Sequence, residues 1–306
     1  MSADESTDES GVASEYDVVV VGGGPAGAST GVFTAREGLD TVVFDRGRSS
    51  LGQCAHLENY LGFPAGIDIE TFYDLAHEHA ETAGCEVVAD LVESVTRDGE
   101  GFVVETQEGR TVRAPRVVAA TRYGSEYLKP LDGADEMFVT HTHDGEEHEH
   151  FDRTYADRDG RTPVEGLYVA SPVETVSEQA IMAAGHGALV GRHVVGDARR
   201  EEGYWDAIAE RVDWLRRERA REDEWGDRER WREFFQNRLP DDHGLSEDEL
   251  VELREREIDD RLDAYVSDEE IDRRRQRAHD AILEALDTDR IRAYLDRVDG
   301  DGSEDE

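Results

Sequence analysis

A glycine pattern next to a short apolar run constrains the fold of this chain most strongly. Gly22, Gly24 and Gly27 have G-x-G-x-x-G spacing and directly follow the run Asp17–Val21. In such a loop the first glycine permits a tight turn, the second lets the backbone approach a pyrophosphate, and the third allows close helix–strand packing. Pro25 suits the first turn of a helix, whose free N–H groups would face phosphates. The pattern therefore predicts a β–α unit that holds a dinucleotide.

A second apolar run, Thr41–Phe44, ends at Asp45. An acidic side chain at this place accepts hydrogen bonds from an adenosine ribose in dinucleotide-binding folds. The alternative is an ordinary glycine-rich β–α turn, and the combination of strand, helix and acidic residue favours the nucleotide interpretation. Gly31 is predicted to be a further close-packing position on the helix.

Two longer segments resemble a known family. VVVVGGGPAGAST resembles the FAD-binding start of the two-dinucleotide-binding flavoproteins, and NYLGFPAGI resembles their thioredoxin reductase branch. The resemblance covers about residues 16–195 and implies an α/β fold, a Rossmann-type FAD-binding domain with a parallel sheet plus a small antiparallel meander. It also implies FAD as cofactor and NAD(P)H as a transient reductant. The predicted cofactor-binding residues are Gly22, Gly24, Pro25, Ala26, Gly27, Asp45, Arg46 and Thr121.

The chain after Asp45 alternates between a loop, a helix and short strands. A helix is expected over Asp68–Ala83, with Asp68 as its cap and Gly84 at its end. Five strands are then predicted: Cys85–Val88, Leu91–Val95, Phe102–Thr106, Thr111–Arg113 and Arg116–Ala120. This order fits the FAD domain of the family.

The loop before this helix holds the candidate catalytic residues, Cys54 and His56. By the resemblance, both would line the reactive face of a flavin together with Glu58 and Asn59. Cys54 has an alternative role as a small buried hydrophobe, and His56 as a hydrogen-bonding loop residue. Cys54 and Cys85 form neither a disulfide framework nor a redox C-x-x-C.

The chain departs from the family pattern at two positions. VVAATRYGSEY resembles the segment where the family leaves the FAD domain, with Arg122 where glycine is usual. Gly166–Val194 resembles the closing FAD segment, with Pro172 at the position of an aspartate that binds the flavin ribityl chain. Ser171 and Glu174 are the candidate substitutes for that aspartate.

The family's second nucleotide domain is expected to be missing. Only about 40 residues separate Ala120 from the closing segment, too few for another βαβαβ unit. Gly185, Gly187 and Gly191 resemble a second fingerprint, but their spacing is wrong and no strand directly precedes them.

The short insert, at about residues 137–151, predicts a β-hairpin. MFVTHTHDGEEHEHF alternates, and Asp144–Gly145 is a strong two-residue turn signal. The resulting register places Glu146 on one face with four candidate metal ligands, His141, His143, His148 and His150. A divalent metal site, a polar exposed ribbon and a pH-sensitive contact surface remain alternatives.

The remainder is charged and predicted to be helical. We expect a disordered acidic tail over 1–15, the FAD-binding domain over 16–198, an all-α extension over 199–298 and a disordered tail over 299–306. Apolar stripes are predicted at Tyr204, Trp205, Ile208, Val212 and Leu215, and at Trp231, Phe234, Phe235 and Leu239. Capping boxes at Ser246–Glu249 and Ser267–Glu270 would begin two helices, and Asp287 or Thr288 a last one. The stripes would pack on the first domain or on a second copy, as in a homodimer.

The charge balance limits the partners. The chain has 74 Asp+Glu and 34 Lys+Arg, a net charge of −40, and Lys129 is its only lysine. This composition predicts a salt-adapted, halophilic protein that binds neither nucleic acid nor anionic membranes. No apolar run approaches the roughly 20 residues that cross a bilayer, and the N-terminus is unlike a secretory signal, so a cytoplasmic location is expected.

The sequence thus predicts an FAD-dependent oxidoreductase resembling thioredoxin reductase, without the C-x-x-C and with unknown substrate, electron donor and electron acceptor. One alternative is a non-catalytic nucleotide-binding sensor or scaffold protein. Another is an NAD(H)-binding protein that uses the same glycine loop.

Overall fold

The computed structural model describes residues 13–47, 50–131, 133–143, 146–174 and 179–301. The chain divides into two compact units. The first comprises residues up to Gly66 and His79–Val194, and the second comprises Ile67–Glu78 and the chain from Val195 onward. The domain boundary near residue 198 remains a prediction.

The first unit contains eleven strands in its described part: β1 Ser14–Glu15, β2 Val18–Val21, β3 Thr41–Phe44, β4 Glu86–Val88, β5 Val92–Asp98, β6 Gly101–Thr106, β7 Thr111–Ala114, β8 Arg116–Ala120, β9 Phe138–His143, β10 Glu146–Phe151 and β11 Leu167–Ser171. Three longer helices accompany them: α1 Pro25–Arg36, α2 Ile69–Ala83 and α3 Ala180–Glu201. Helices α2 and α3 each have residues in both units.

A five-stranded parallel sheet forms the centre of the first unit, in the order β11-β8-β2-β3-β4. All four residues of β2 are buried valines, because one sheet face packs on the antiparallel strands and the other on α1 and α3. Strands covered on both faces read as continuous apolar runs. The α/β prediction is confirmed.

The predicted meander is present as β5, β6 and β7, which pair antiparallel. The prediction of a disordered tail through residue 15 is wrong at its end. Ser14–Glu15 form β1, which pairs in parallel with β7 because that edge strand offers free backbone groups. Residues 1–12 of that tail lie outside the described chain.

The predicted hairpin is formed by β9 and β10 with the expected register, His148 opposite His141 and Glu146 opposite His143. Phe138 and Phe151 meet edge to face at 5.9 Å between ring centroids and fix the hairpin base to the core. The predicted turn Asp144–Gly145 lies outside the described residues.

The second unit is mostly helical, as predicted. Its described elements are α4 Asp206–Ala209, β12 Arg216–Arg217, α5 Arg228–Gln236, α6 Glu247–Asp263, β13 Tyr265–Val266, α7 Asp268–Glu284 and α8 Thr288–Asp301. Trp205, Ile208, Trp231 and Phe235 lie in its buried core, so most of the predicted aromatic stripe is core. No helix in the described chain is long and apolar enough to cross a membrane.

The first apolar stripe is wrong beyond Ile208. Helix α4 ends at Ala209, Glu210 is extended, and Val212 and Leu215 are exposed. Arg211 instead pairs with Asp260 of α6 at 2.7 Å, which holds this segment as an irregular connection.

The predicted helix starts follow local capping chemistry. Ser246 and Glu249 form a complete capping box at α6. At α7, Ser267 accepts the N–H of Glu270, but the Glu270 carboxylate binds Arg273 and Arg274. That second capping box is therefore present only in half.

The last helix begins where it was predicted. Asp287 accepts the N–H of Arg290 at 2.9 Å and so caps α8. Because α8 reaches Asp301, the predicted disordered tail is wrong for 299–301, and residues 302–306 lie outside the described chain.

Candidate functional site

The turn between β2 and α1 requires glycine at two of its three signature positions. Gly22 has φ +108°, and a Cβ added there would lie 2.8 Å from the carbonyl oxygen of Ala120. A Cβ at Gly27 would lie 1.7 Å from the carbonyl oxygen of Gly22. These two glycines therefore make the turn and let the helix pack beneath it.

Gly24 has a different role. Its backbone is extended, with φ −69° and ψ −175°, and it is the N-cap of α1 with Pro25 as the first helical residue. The first N–H groups of a helix have no partner within it. Here they lie at the edge of a cavity that Gly24, Pro25 and Ala26 line, which is the arrangement that receives a phosphate.

The cavity opens at the carboxyl ends of β2, β3, β8 and β11, where open parallel sheets bind ligands. Seven of the eight predicted cofactor-binding residues line it: Gly22, Gly24, Pro25, Ala26, Asp45, Arg46 and Thr121. The eighth, Gly27, lies behind the loop, against Gly22.

Asp45 is held at the rim of the cavity by local contacts. Its N–H donates to the carbonyl of Val88 at 2.9 Å, and its carboxylate accepts the N–H of Gly47 at 3.1 Å. A Cβ at Gly23 would lie 2.6 Å from the Cβ of Asp45. Gly23, the middle glycine of the GGG run, has no task in the motif, and its missing side chain lets Asp45 approach the loop.

Two further residues of the cavity were not identified from the sequence. Tyr127 is buried, and its hydroxyl lies 3.1 Å from Oγ1 of Thr121, while burial raises the pKa of Tyr127 far above its usual range. Asp90 is also buried; burial alone would raise its pKa, but bonds from Thr106, Arg110 and backbone N–H groups outweigh that effect and lower it. Neither residue belongs to a spacing pattern that could have indicated it.

Only one of the two candidate catalytic residues lies at the cavity. Cys54 is exposed and lines it, whereas His56 is outside the lining, with Nδ1 4.0 Å from the exposed carboxylate of Glu58. His56 instead packs against the backbone at Gly66. Asn59 donates to the side chain of Gln179 at 2.6 Å, and Gln179 lines the cavity.

The two cysteines are expected to differ sharply in reactivity. Cys85 is buried beneath Gly31, and burial raises the pKa of its thiol to about 12, so the reactive thiolate is nearly absent at neutral pH. A maleimide should therefore label only Cys54 in the native protein and both thiols after denaturation. Cys54→Ser should abolish native labelling, and fast native labelling of that variant would contradict the assignment.

The closing segment presents an apolar surface at the sheet edge. Pro172 and Val173 are buried cavity-lining residues, and the Ser171–Pro172 peptide is cis. Of the two predicted substitutes for the missing aspartate, Ser171 lines the cavity, whereas Glu174 is exposed and outside the lining.

Two glycines of α3, Gly187 and Gly191, are packing residues. A Cβ at Gly187 would lie 2.0 Å from the carbonyl oxygen of Ala26, and one at Gly191 would lie 3.0 Å from that of Thr30. Gly185 faces open space. These contacts let α3 cross closely over α1.

His141, His148 and His150 share one face of the hairpin by register, and the rings of His141 and His150 stack at 4.7 Å between centroids. Among the described side chains, which exclude that of His143, no three histidine, cysteine or acidic groups are arranged to hold a metal ion. The metal interpretation of His141, His143, His148 and His150 gains no geometric support here.

Comparison with known proteins finds similarity in the part of the chain that contains the glycine loop. Residues 16–160 match the family model described as pyridine nucleotide-disulphide oxidoreductase. The chain is also similar to thioredoxin reductases. It is 32% identical over 108 residues to the thioredoxin reductase of Aquifex aeolicus, and 33% identical over 118 residues to the thioredoxin reductase of Listeria monocytogenes.

These matches cover part of each protein. They span 35% and 37% of this chain, and 33% and 35% of the relatives, so the chain covers about a third of the relatives' length. A thioredoxin reductase structure from Gloeobacter violaceus has a TM-score of 0.50 at 17% identity, covering 65% of this chain and 97% of that one. That likeness concerns the fold alone.

The thioredoxin reductase-like segment fits one half of FAD better than the other. The crowded glycine loop and the α1 N-terminus provide a place for a pyrophosphate, and Asp45 lies where an adenosine ribose would bind. At the other half, Pro172 offers neither a donor nor an acceptor side chain, and Ser171 is the polar lining group next to it.

Proposed function

We propose that the cavity binds FAD and that the protein is a flavin-dependent oxidoreductase of unknown substrate. The position of the glycine loop and Asp45 at the carboxyl ends of adjacent parallel strands carries this proposal. The loop would bind the pyrophosphate, Asp45 the ribose, and Arg46 and Thr121 would line the bound cofactor. When bound, the flavin would supply the electron chemistry.

Reduction of a thioredoxin does not follow from this likeness, because these 306 residues contain two cysteines and no C-x-x-C. Between β8 and β11 the described residues form short 3-10 turns and the β9–β10 hairpin. We propose that no second nucleotide domain is inserted there. NAD(P)H would then dock directly, or a protein would donate electrons.

A non-catalytic nucleotide-binding sensor or scaffold is the second candidate. Pro172 favours it, since the closing segment lacks the carboxylate that the family likeness would place there. The acidic charge supports a salt-adapted protein with no affinity for nucleic acid or anionic membranes. We also propose a cytoplasmic location. A homodimer through the helical unit remains a proposal.

An absorption spectrum in high salt tests the proposal. The purified protein, or the protein mixed with FAD and desalted, should show oxidised-flavin bands that bleach on anaerobic addition of NADH or NADPH. Bands that persist would favour a different electron donor or the sensor. If the protein takes up no FAD but binds NADH in calorimetry, the hypothesis of an NAD(H)-binding protein would replace the flavin hypothesis.

A further inference from the structure

The two departures from the family pattern lie at neighbouring strand ends. Arg122 follows β8 and Pro172 follows β11, and these strands pair in parallel with Ala120 opposite Ser171. Both residues line the cavity. These two departures are 50 residues apart in the sequence, but in the folded protein both alter the lining at the β8–β11 end of the cavity.

Both departures make the local charge more positive than the family pattern would. Arg122 adds a positive charge where the resemblance places glycine, and Pro172 removes the negative charge of an aspartate. Arg122 is half-buried, with its guanidinium 5.1 Å from the ring centroid of Tyr123. A partly buried charge is screened less than one in open solvent.

A third residue, the exposed Arg153, adds a more strongly screened positive charge. Arg153 lines the same cavity, and its carbonyl accepts the N–H of Glu174 at 3.0 Å, which places it beside the closing segment. The acidic groups in the described lining, Asp45 and Asp90, follow β3 and β4, on the far side of β2. Asp90 is bound by Arg110 at 2.6 Å. Within the described lining, the β8–β11 end therefore holds two arginines and no acidic side chain, in a chain of net charge −40.

We propose that Arg122 and Arg153 stabilise the reduced, anionic form of the bound flavin and so raise its reduction potential. This inference rests on the proposed binding of FAD. The oxidised flavin ring is neutral; it takes up two electrons and one proton on reduction and then carries one negative charge. A nearby opposite charge favours the charged form of a group, so each arginine favours the reduced cofactor.

The test is the midpoint potential of FAD-loaded variants, measured by anaerobic dithionite titration against a reference dye. Arg122→Gln should lower the ratio of affinities for reduced over oxidised flavin by roughly tenfold. For a two-electron couple this corresponds to about 30 mV. Arg153→Gln should lower this ratio by less, because Arg153 is exposed and its charge is more strongly screened by solvent. Arg122→Lys and Arg153→Lys should stay near the wild-type value because they keep the charge.

The matched control is Arg113→Gln, which removes an exposed arginine of β7 that pairs with Asp98 outside the cavity lining. Its potential should equal that of the wild type. Glutamine variants that bind FAD with unchanged potentials would overturn this inference and leave the proposed function standing. A wild-type protein that binds no FAD would reject both.

Discussion

Gly24→Val should reduce FAD binding by at least roughly 100-fold, equivalent to about 2.8 kcal/mol, while the protein still folds. The valine branches would fill the space in front of the α1 N–H groups, where the pyrophosphate would lie. The backbone itself tolerates the change, since φ is −69°. We expect a stability loss of about 1 kcal/mol, typical of a poor N-cap. Fluorescence titration with FAD and denaturant unfolding measure the two effects.

Gly185→Val is the matched control for this substitution. Gly185 lies on α3, faces open space and is outside the cavity lining, so binding should be unchanged. Gly27→Val should instead prevent folding of the first unit, because its Cβ would overlap the Gly22 carbonyl. Wild-type affinity in the Gly24 variant would show that the ligand does not use this loop.

Glu257→Ala should destabilise the second unit by about 3–5 kcal/mol, the effect of removing one partner of a buried ion pair. The side chain of Glu257 is fully buried, accepts from Arg199 at 2.5 Å and from Arg261 at 2.8 Å. Arg199 is itself 11% exposed, so its charge would remain buried without this carboxylate. Tryptophan fluorescence during urea unfolding reports this unit selectively, since all four tryptophans lie in it.

Glu252→Ala provides the comparison for Glu257. Glu252 is mostly exposed on the same helix and pairs with Arg256 at 3.0 Å, so its loss should cost less than about 1 kcal/mol. Equal effects of the two substitutions would mean that the buried cluster around Glu257 does not stabilise the helical unit.

Local sequence was sufficient where a few neighbouring residues determine the structure. The β2–loop–α1 unit, the β9–β10 register and the cap at Ser246 follow from glycine geometry, strand alternation and side-chain capping. The prediction of a helical apolar stripe failed after Ile208, where Arg211 forms a tertiary ion pair with Asp260 instead of continuing the helix. Pairing with β7 likewise ordered Ser14–Glu15.

The sequence by itself determined the conformation of the glycine loop, because the strand, turn and helix are contiguous and each signature glycine has a local steric or backbone task. Only the tertiary structure decided which distant side chains meet at the cavity. The strand order β11-β8-β2-β3-β4 brings Arg122 next to Pro172, and buried bonds hold Asp90 and Tyr127 at the same site. Such neighbours depend on long-range strand pairing, which no spacing within a short segment encodes.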